Sequence, residues 1–394
     1  MRIVFCGGGT GGHTFPIIAI IRELKKSSFS SNLEFFYIGP KDSFLENLIK
    51  KGVKVKTIKA GKIRRYITPV SVFSNFLNIF KIAGGCIQAY LYLGQIKPRL
   101  IFSKGGYGSL PVVLAGSHLD IPIFLHESDT IPGWTNRITA KYAKRIFLAF
   151  PQKYTKGFPK KIPQNRFLFV GNPIREEITK GDKEAGKKIF NLTDEKPVLL
   201  ILGGSQGAQR INDVILLCLL DILKLFEVIH QCGKNNLEEM ELQTKVIFQK
   251  NEDLKKYYHL YGFLDEEKLK HAYKVADLVI SRAGAGSIFE ILANGLPSIL
   301  VPLPESAQNH QRENAYLIEK FGASLVIEQT NFKPHFLLKK LYLFFSKPEL
   351  LKEMRKKAKK LAIPNSAKLI AKYILEELGF IDFKNSRPYN KING

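Results

Sequence analysis

Short uncharged runs alternate with segments whose apolar residues recur every three or four positions, and glycine or proline separates the two kinds. Arg2–Cys6, Leu33–Ile38, Val53–Ile58, Leu100–Phe102, Ile121–Leu125, Arg145–Ala149 and Phe167–Val170 read as strands. Between them, Ile17–Lys26, Phe44–Lys50 and Pro132–Tyr142 carry helical spacing, with Pro16 opening the first helix. Gly171-Asn172-Pro173-Ile174-Arg175 reads as a crossing point, after which the plan repeats. Val198–Leu202, Glu227–Gln231, Val246–Phe248, Asp277–Ser281 and Ser298–Val301 are strands there, with helices at Gln209–Leu220 and Glu266–Tyr273. Such alternation builds parallel sheets covered by helices. The pattern therefore predicts an α/β chain of two doubly wound domains, 1–171 and 172–364, then an amphipathic helix (365–378) and a polar tail (382–394).

Composition adds three things. A chain of 394 residues suits two domains of roughly 170–200 residues each. Cys6, Cys86, Cys218 and Cys232 stand singly in apolar surroundings without metal-ligand spacing, as core cysteines of a reducing compartment do. The N-terminus opens on a strand rather than a basic and apolar leader, so a cytoplasmic protein is expected. The net charge of +25 reads either as lysine spread over solvated faces or as attraction to a polyanion. No helix-turn-helix, RNP-type or zinc motif supports nucleic acid, which leaves an anionic membrane face as the better partner. Tyr66–Phe80 and Ile82–Ile96 are uncharged, yet each falls short of the ~20 apolar residues of a span. Phe73, Phe76, Leu77 and Phe80 at helical spacing beside Lys62, Arg64 and Arg65 read as a surface that dips into a membrane interface.

Candidate chemistry lies in the glycine turns. Gly7-x-Gly9-x-x-Gly12 follows the first strand, but the second strand ends in Gly39-Pro40-Lys41 with no carboxylate for a ribose, which removes the dinucleotide reading. P-loop spacing fails as well, because His13 stands where the phosphate lysine belongs. What remains is a turn presenting a histidine at a helix N-terminus. Ser103–Ser109 and His126-Glu127-Ser128-Asp129 end two further strands, and topology predicts that all three strand ends converge on one crevice. In the second half, Gly203–Ala208 and Ser281–Glu290 are phosphate-ready strand–turn–helix junctions. Glu290 suits either a sugar's hydroxyl pair or the capping of its own helix. The amides of Gln308–Asn314 suit uncharged sugar or uracil groups.

Gly8–Pro16, Gly105–Ser109, His126-Glu127, Gly171–Arg175, Gly203–Ala208, Ser281–Glu290 and His310–Asn314, in this order, resemble the MurG family of bacterial glycosyltransferases. That family adds N-acetylglucosamine to the lipid-linked muramyl-pentapeptide precursor of peptidoglycan. The resemblance implies a GT-B architecture, two Rossmann-like domains facing a cleft, with the last helix crossing back onto the first domain. It implies an inverting hexosyltransferase moving N-acetylglucosamine from UDP-N-acetylglucosamine to the 4-hydroxyl of undecaprenyl-linked muramyl-pentapeptide. The enzyme would be peripheral on the cytoplasmic face of the inner membrane, with cell-wall synthesis and division proteins as candidate partners.

Carried over by motif, Arg175 and Ser205 would contact the diphosphate and Leu264 the uracil pocket. Ala285, Gly286, Ser287, Ile288, Phe289 and Glu290 would hold diphosphate and ribose, and Gln311 the sugar. Thr10, Gly11, Gly12 and Tyr107 would join the substrate site from the first domain, with His13 as general base and Glu127 or Asp129 as the alternatives. A helix N-terminus disfavours imidazolium, which keeps His13 neutral and able to accept a proton. Asp129 departs from the family's asparagine and cannot donate a hydrogen bond while ionised. There is no Asp-x-Asp pair and no metal spacing among the eight histidines, so helix N-termini and Arg175 are expected to neutralise the leaving group without a metal or cofactor. A transferase acting on diacylglycerol and a UDP-N-acetylglucosamine 2-epimerase are the alternative functions.

Overall fold

Among the described residues before Glu176, seven segments form parallel strands: Arg2–Cys6 (β1), Glu34–Gly39 (β2), Lys54–Thr57 (β3), Leu100–Ser103 (β4), Ile123–Glu127 (β5), Arg145–Leu148 (β6) and Phe167–Phe169 (β7). The computed structural model describes residues 1–9, 11–62, 69–204 and 207–382. Strand order is β3-β2-β1-β4-β5-β6-β7, so the winding reverses between β1 and β4, where Cys6 pairs with Ser103. A second sheet holds Val198–Leu202 (β8), Glu227–Gln231 (β9), Tyr258–Tyr261 (β10), Leu278–Arg282 (β11), Ser298–Val301 (β12) and Ser324–Val326 (β13). Its order, β10-β9-β8-β11-β12-β13, reverses between β8 and β11. The chain divides into two units, Met1–Arg175 with the segment from Asn365, and Glu176–Pro364. The division falls after Arg175, whereas the sequence pattern put it after Gly171.

The last helix, Ser366–Glu377, belongs to the first unit. Ile370 and Ile374 are fully buried in one core with Ile17, Ile21 and Phe5. Lys144 and Arg145 pair with Glu377 and Glu376 at 2.7 and 3.0 Å, and the Arg145 guanidinium lies 4.9 Å from the Tyr373 ring centre. The second unit has its own cores on either side of its sheet, one around Leu199, Ile211 and Ile280, the other around Leu200, Tyr273 and Val279.

Four local expectations change. The first helix runs Gly11–Lys26 with Pro16 inside it, so the glycine turn is itself the first helical turn and the Gly12 carbonyl has no i+4 donor. Val246–Phe248 is the end of a helix, Leu237–Phe248, whose Met240, Thr244 and Phe248 are buried at a spacing of four; β10 lies further on. Gln209–Leu220 breaks at Cys218 into two helices, Gln209–Leu217 and Leu219–Leu225. Tyr66–Phe80 and Ile82–Ile96 contribute to one helix, Pro69–Ile96, which continues through Gly84-Gly85. Gly85 is needed there because a Cβ would sit 2.0 Å from the Lys59 carbonyl oxygen.

Ala89, Leu93 and Ile96 anchor that helix in a core with Val112 and Val113. Its other face, Phe76, Phe80, Ile87 and Leu91, is exposed, Phe80 to 61 %. The Asn75–Ile96 stretch is long and apolar enough to cross a membrane by length and composition, with mean hydropathy 1.2, a test that core helices also pass. Phe76 and Phe80 contact each other edge to face at 5.0 Å. Lys59 and Lys62 run beside the helix, held by Gln88 Oε1 accepting from the Lys59 amide (2.7 Å) and by Asn78 donating to the Lys62 carbonyl (2.9 Å). Arg64 and Arg65, the side chain of Phe73 and the tail beyond Asp382 lie outside the described residues.

Because the closing helix completes the first unit's core, Ile374→Ala should lower its stability by about 2–5 kcal/mol. Denaturant unfolding monitored with a probe in residues 1–175 checks this, and an unchanged midpoint would contradict the packing.

Candidate active site

Three strand ends of the first unit do meet. The Lys104 amide donates to the Cys6 carbonyl (2.8 Å), tying the turn after β4 to the turn after β1. A Cβ on Gly8 would lie 3.0 Å from the Gly108 nitrogen, and one on Gly108 only 2.5 Å from the Gly7 oxygen. These turns touch because neither carries a side chain at the contact. His13, half-buried, is the third residue of its helix. Its Nε2 lies 2.8 Å from where a Cβ on Gly106 would be, so the second turn forms the surface against which the imidazole rests. Tyr107 packs its ring on Gly9, and Gly11 is buried while Gly12 is exposed. Thr10 lies outside the described residues.

The turn after β5 supplies the ionisable groups. His126 is fully buried and donates from Nε2 to the Gly171 carbonyl (3.0 Å). Burial, then the charge of Lys104, holds its pKa well below the ordinary imidazole range, so it is a neutral structural ring. Glu127 is also buried, and its carboxylate accepts from the Asp129 amide (3.0 Å), the Gly133 amide (3.1 Å) and Asn136 Nδ2 (2.8 Å). Burial and the neighbouring Asp129 charge push its pKa up, against the lowering effect of those donors and Lys104. Its oxygens are thus engaged in shaping the loop, a duty unlike that of a free base. Asp129 is half-exposed. Arg175 is buried within the first unit, its guanidinium 4.5 Å from the Phe15 ring centre.

In the second unit the corresponding turns are open at three glycines: a Cβ on Gly204, Gly284 or Gly286 would meet nothing within 4 Å among the described residues. The helix Ala285–Ala293 begins after Gly284 with no side-chain cap, leaving its first amides available to an anion. Gly286, Ser287 and Glu290 are half-buried, whereas Ala285, Ile288 and Phe289 are buried, so these three offer a ligand backbone only. Tyr273 donates to Glu290 Oε2 at 3.3 Å. Gln311 Oε1 accepts from the Leu303 amide (3.1 Å). Ser205 lies outside the described residues.

Three groups escaped the sequence reading. Gln231, at the end of β9, donates to the Gly204 carbonyl (3.2 Å) and accepts from the Leu264 amide (3.0 Å), so it fixes the open turn and buried Leu264 together. Its signal was position alone, the last residue of a strand beside the turn. Arg282, at the end of β11, donates to the Val301 carbonyl (3.3 Å) and feels the opposed charges of Glu305 and Arg210. Lys104, in the first unit, is 3 % exposed and donates to Ser128 Oγ.

Two doubly wound parallel domains with open glycine turns at the strand ends of the second define the GT-B class of glycosyltransferases. Residues 3–148 match the Glycosyltransferase family 28 N-terminal domain and residues 198–370 the Glycosyltransferase family 28 C-terminal domain. A relative from Clostridium tetani (strain Massachusetts / E88) is 38% identical over 375 residues, 94% of this chain and 98% of that one. It is named UDP-N-acetylglucosamine--N-acetylmuramyl-(pentapeptide) pyrophosphoryl-undecaprenol N-acetylglucosamine transferase. The crystal structure of Acinetobacter baumannii MurG superposes with a TM-score of 0.70 at 26% identity, covering 95% of this chain and 99% of that one. A UDP-GlcNAc 2-epimerase from Neisseria meningitidis shares the fold, with a TM-score of 0.65 at 14% identity over 95% of this chain and 100% of its own. The chain belongs to the MurG family of glycosyltransferases.

Glu127 gives a pH signature. Its pKa is raised in the folded state, so as pH rises above the ordinary carboxylate value of 4.5 the unfolded chain loses the proton first and Glu127's contribution to stability falls. Buried His126, with its lowered pKa, contributes in the opposite sense below 6.5, which masks the effect in the parent protein. The stability of Glu127→Gln relative to the parent should therefore improve steadily as pH rises from 4.5 toward neutral. Denaturant titrations at several pH values check it, and a pH-independent difference would contradict the assignment.

Proposed function

We propose that this chain transfers N-acetylglucosamine from UDP-N-acetylglucosamine to the 4-hydroxyl of a polyprenyl-pyrophosphoryl muramyl-pentapeptide. The observation that carries the reading is the open edge of the second sheet. Gly204, Gly284 and Gly286 leave room for a ligand, next to an uncapped helix start and Arg282. A diphosphate suits this edge, since backbone amides and a partly buried guanidinium meet its charge without any reorganisation. Glu290 then takes the ribose hydroxyls, the Leu264 region the uracil, and Gln311 a hydroxyl of the sugar. Ser205 and Arg175 are assigned to the diphosphate and Thr10–Gly12 and Tyr107 to the substrates by resemblance to the family.

Chemistry follows as a single displacement. The acceptor 4-oxygen forms its bond to the anomeric carbon as the bond to the diphosphate oxygen breaks, inverting the centre and releasing UDP. The hydroxyl proton passes to His13, and the transition state carries oxocarbenium character. His13 suits this role because it stands in the first turn of its helix, where the field disfavours imidazolium. Glu127 fits it less well, its oxygens being held by three donors.

The acceptor's polyprenyl chain resides in a bilayer, so the enzyme works at a membrane surface. Phe76, Phe80, Ile87 and Leu91 on the exposed face of Pro69–Ile96, with Lys59 and Lys62 beside them, are the docking surface in this reading. The helix lies on the membrane rather than across it, because its opposite face is committed to the first unit's core. The cytoplasmic face of the inner membrane, where nucleotide sugars are available, is its place of work, and cell-wall synthesis and division proteins are its candidate neighbours.

Purified protein given labelled donor should label the muramyl lipid and leave diacylglycerol unlabelled; donor turnover without any acceptor would favour epimerase chemistry. In that assay His13→Ala should lower kcat by about 10²–10⁴-fold while UDP binding holds, and an unchanged kcat would remove His13 from the base role. Phe76→Ser with Phe80→Ser should weaken binding to anionic vesicles on the order of 100-fold without touching UDP affinity. Unaltered co-sedimentation would refute the docking surface.

A further inference from the structure

The second unit holds a cavity at the edge of its sheet that the transfer reaction does not use. Pro197, Phe226 and Asp277 stand just before β8, β9 and β11, at the other ends of these strands from the glycine turns, and border a cavity of about 470 Å³. A five-residue strand sets the two edges roughly 16 Å apart. All the lining residues belong to the second unit. The floor is apolar: Phe226 and Phe344 are buried, and Phe345 meets Phe226 edge to face at 6.1 Å. Phe345 lines the cavity and is still 49 % exposed, so part of an aromatic ring is left for something else to cover.

Lys183, Lys274, Lys352 and Arg355 form the rim, and Asp277 is the one carboxylate among the lining residues. Two helices end at the cavity, Glu266–Val275 and Pro334–Ser346, and two begin there, Lys183–Phe190 and Pro348–Leu361. Their dipoles, about half a charge at each end, offset one another. Side chains therefore decide the field, and four cations against one carboxylate leave +3. Asp277 is already engaged, its Oδ2 accepting from the Val198 amide at 2.9 Å and its Oδ1 lying 3.9 Å from the Arg355 guanidinium. Lys183, Lys274 and Lys352 form no ion pair among the described residues. Like charges held around one opening repel, and an anion inside it relieves that repulsion. The aromatic floor adds affinity only for a ligand that also carries apolar surface.

We propose that this cavity is a second ligand site, which takes a phosphate group carried on a short apolar body. The phosphate sits among Lys183, Lys274, Lys352 and Arg355, and the body lies on Phe345 and Phe226. A phosphate answers the rim better than a carboxylate does, because near pH 7 it carries about −1.5 to −2. The volume lies in the range of small-molecule sites, which excludes a folded partner as the occupant. The site is separate from the donor edge and does not depend on the transferase reading. A soluble organic phosphate and a phospholipid headgroup share this chemistry, and the test separates them.

Hexyl phosphate is titrated calorimetrically into the full chain with UDP in excess, beside inorganic phosphate and hexanol as its charged and apolar halves alone. Hexyl phosphate should bind at least about tenfold more tightly than either half. Lys274→Gln with Lys352→Gln should weaken it about tenfold or more, and raised salt should weaken it as well. Phe345→Ala should weaken hexyl phosphate about fivefold and leave inorganic phosphate unaffected. All three positions are exposed, so the melting temperature should not move. Co-sedimentation with phosphatidylglycerol vesicles then reads the source. A loss in the lysine double variant assigns the site to a headgroup, and unchanged sedimentation assigns it to a soluble phosphate. Hexyl phosphate that fails to bind, binds no more tightly than inorganic phosphate, or binds the lysine double variant as tightly as the parent overturns the proposal.

Discussion

The first unit's site depends on two backbones touching where the sheet reverses its winding. Between β1 and β4 the following helices depart on opposite faces, which lets the two turns approach. They close to contact because Gly8 and Gly108 have no side chains to hold them apart, with Pro40 pressed against Gly108 from outside. Any side chain at Gly108 would meet the Gly7 oxygen and the Pro40 ring together. From this contact the rest follows: His13 is laid over Gly106, the Lys104 amide reaches the Cys6 carbonyl, and the ammonium extends toward the turn after β5. The histidine is thus placed by packed backbone, which is rigid, rather than by a flexible loop.

The same sheet order in the second unit gives a different result at the point of reversal. Gly207 and Gly233 touch there as well, a Cβ on Gly233 lying 2.6 Å from the Gly207 Cα, but a Cβ on Gly204, Gly284 or Gly286 would meet nothing within 4 Å among the described residues. Glycine therefore has two uses in this chain. At Gly8 and Gly108, and again at Gly207 and Gly233, it brings strand ends together, and at Gly204, Gly284 and Gly286 it leaves open space among the described residues. The duplication is of architecture, and the surroundings of the glycine turns differ between the halves.

Fold was legible in the sequence because the central strands β1, β4, β5, β8, β11 and β12 are largely buried and read as mostly apolar runs. Failures fell where that signal weakens. Val246–Phe248 looks like a strand in isolation, and only the buried residues at 240, 244 and 248 show it to be helical. β13 is three residues long, too short for any period to register. At the site, His13, Glu127, Glu290 and Gln311 stand out by their places in motifs, but the groups that hold them do not. That Glu127 spends its oxygens on Asn136 and two amides is a three-dimensional fact, as is the burial of Lys104 among 60 lysines and arginines. A basic residue in a basic chain carries no signal until something shows that it is inside.

The helix Pro69–Ile96 turns the usual logic of a soluble α/β fold around. A helix on a sheet normally buries its apolar stripe and gives water its polar one. Here the buried stripe is ordinary, with Ala89, Leu93 and Ile96, and the face turned outward is also apolar at positions 76, 80, 83, 87 and 91. Intramolecular packing does not explain Phe80 or Ile87, since neither is covered. Left in water, each such side chain forgoes about 1.5–3 kcal/mol of burial, so the stripe gains its stabilisation only when an outside apolar phase covers it. Asn78 and Gln88 use their side chains to hold Lys59–Lys62 alongside, which places fixed positive charge at the border of the apolar face. Apolar surface rimmed by cations matches the boundary between lipid tails and anionic headgroups, which is the chemistry the proposed docking calls for.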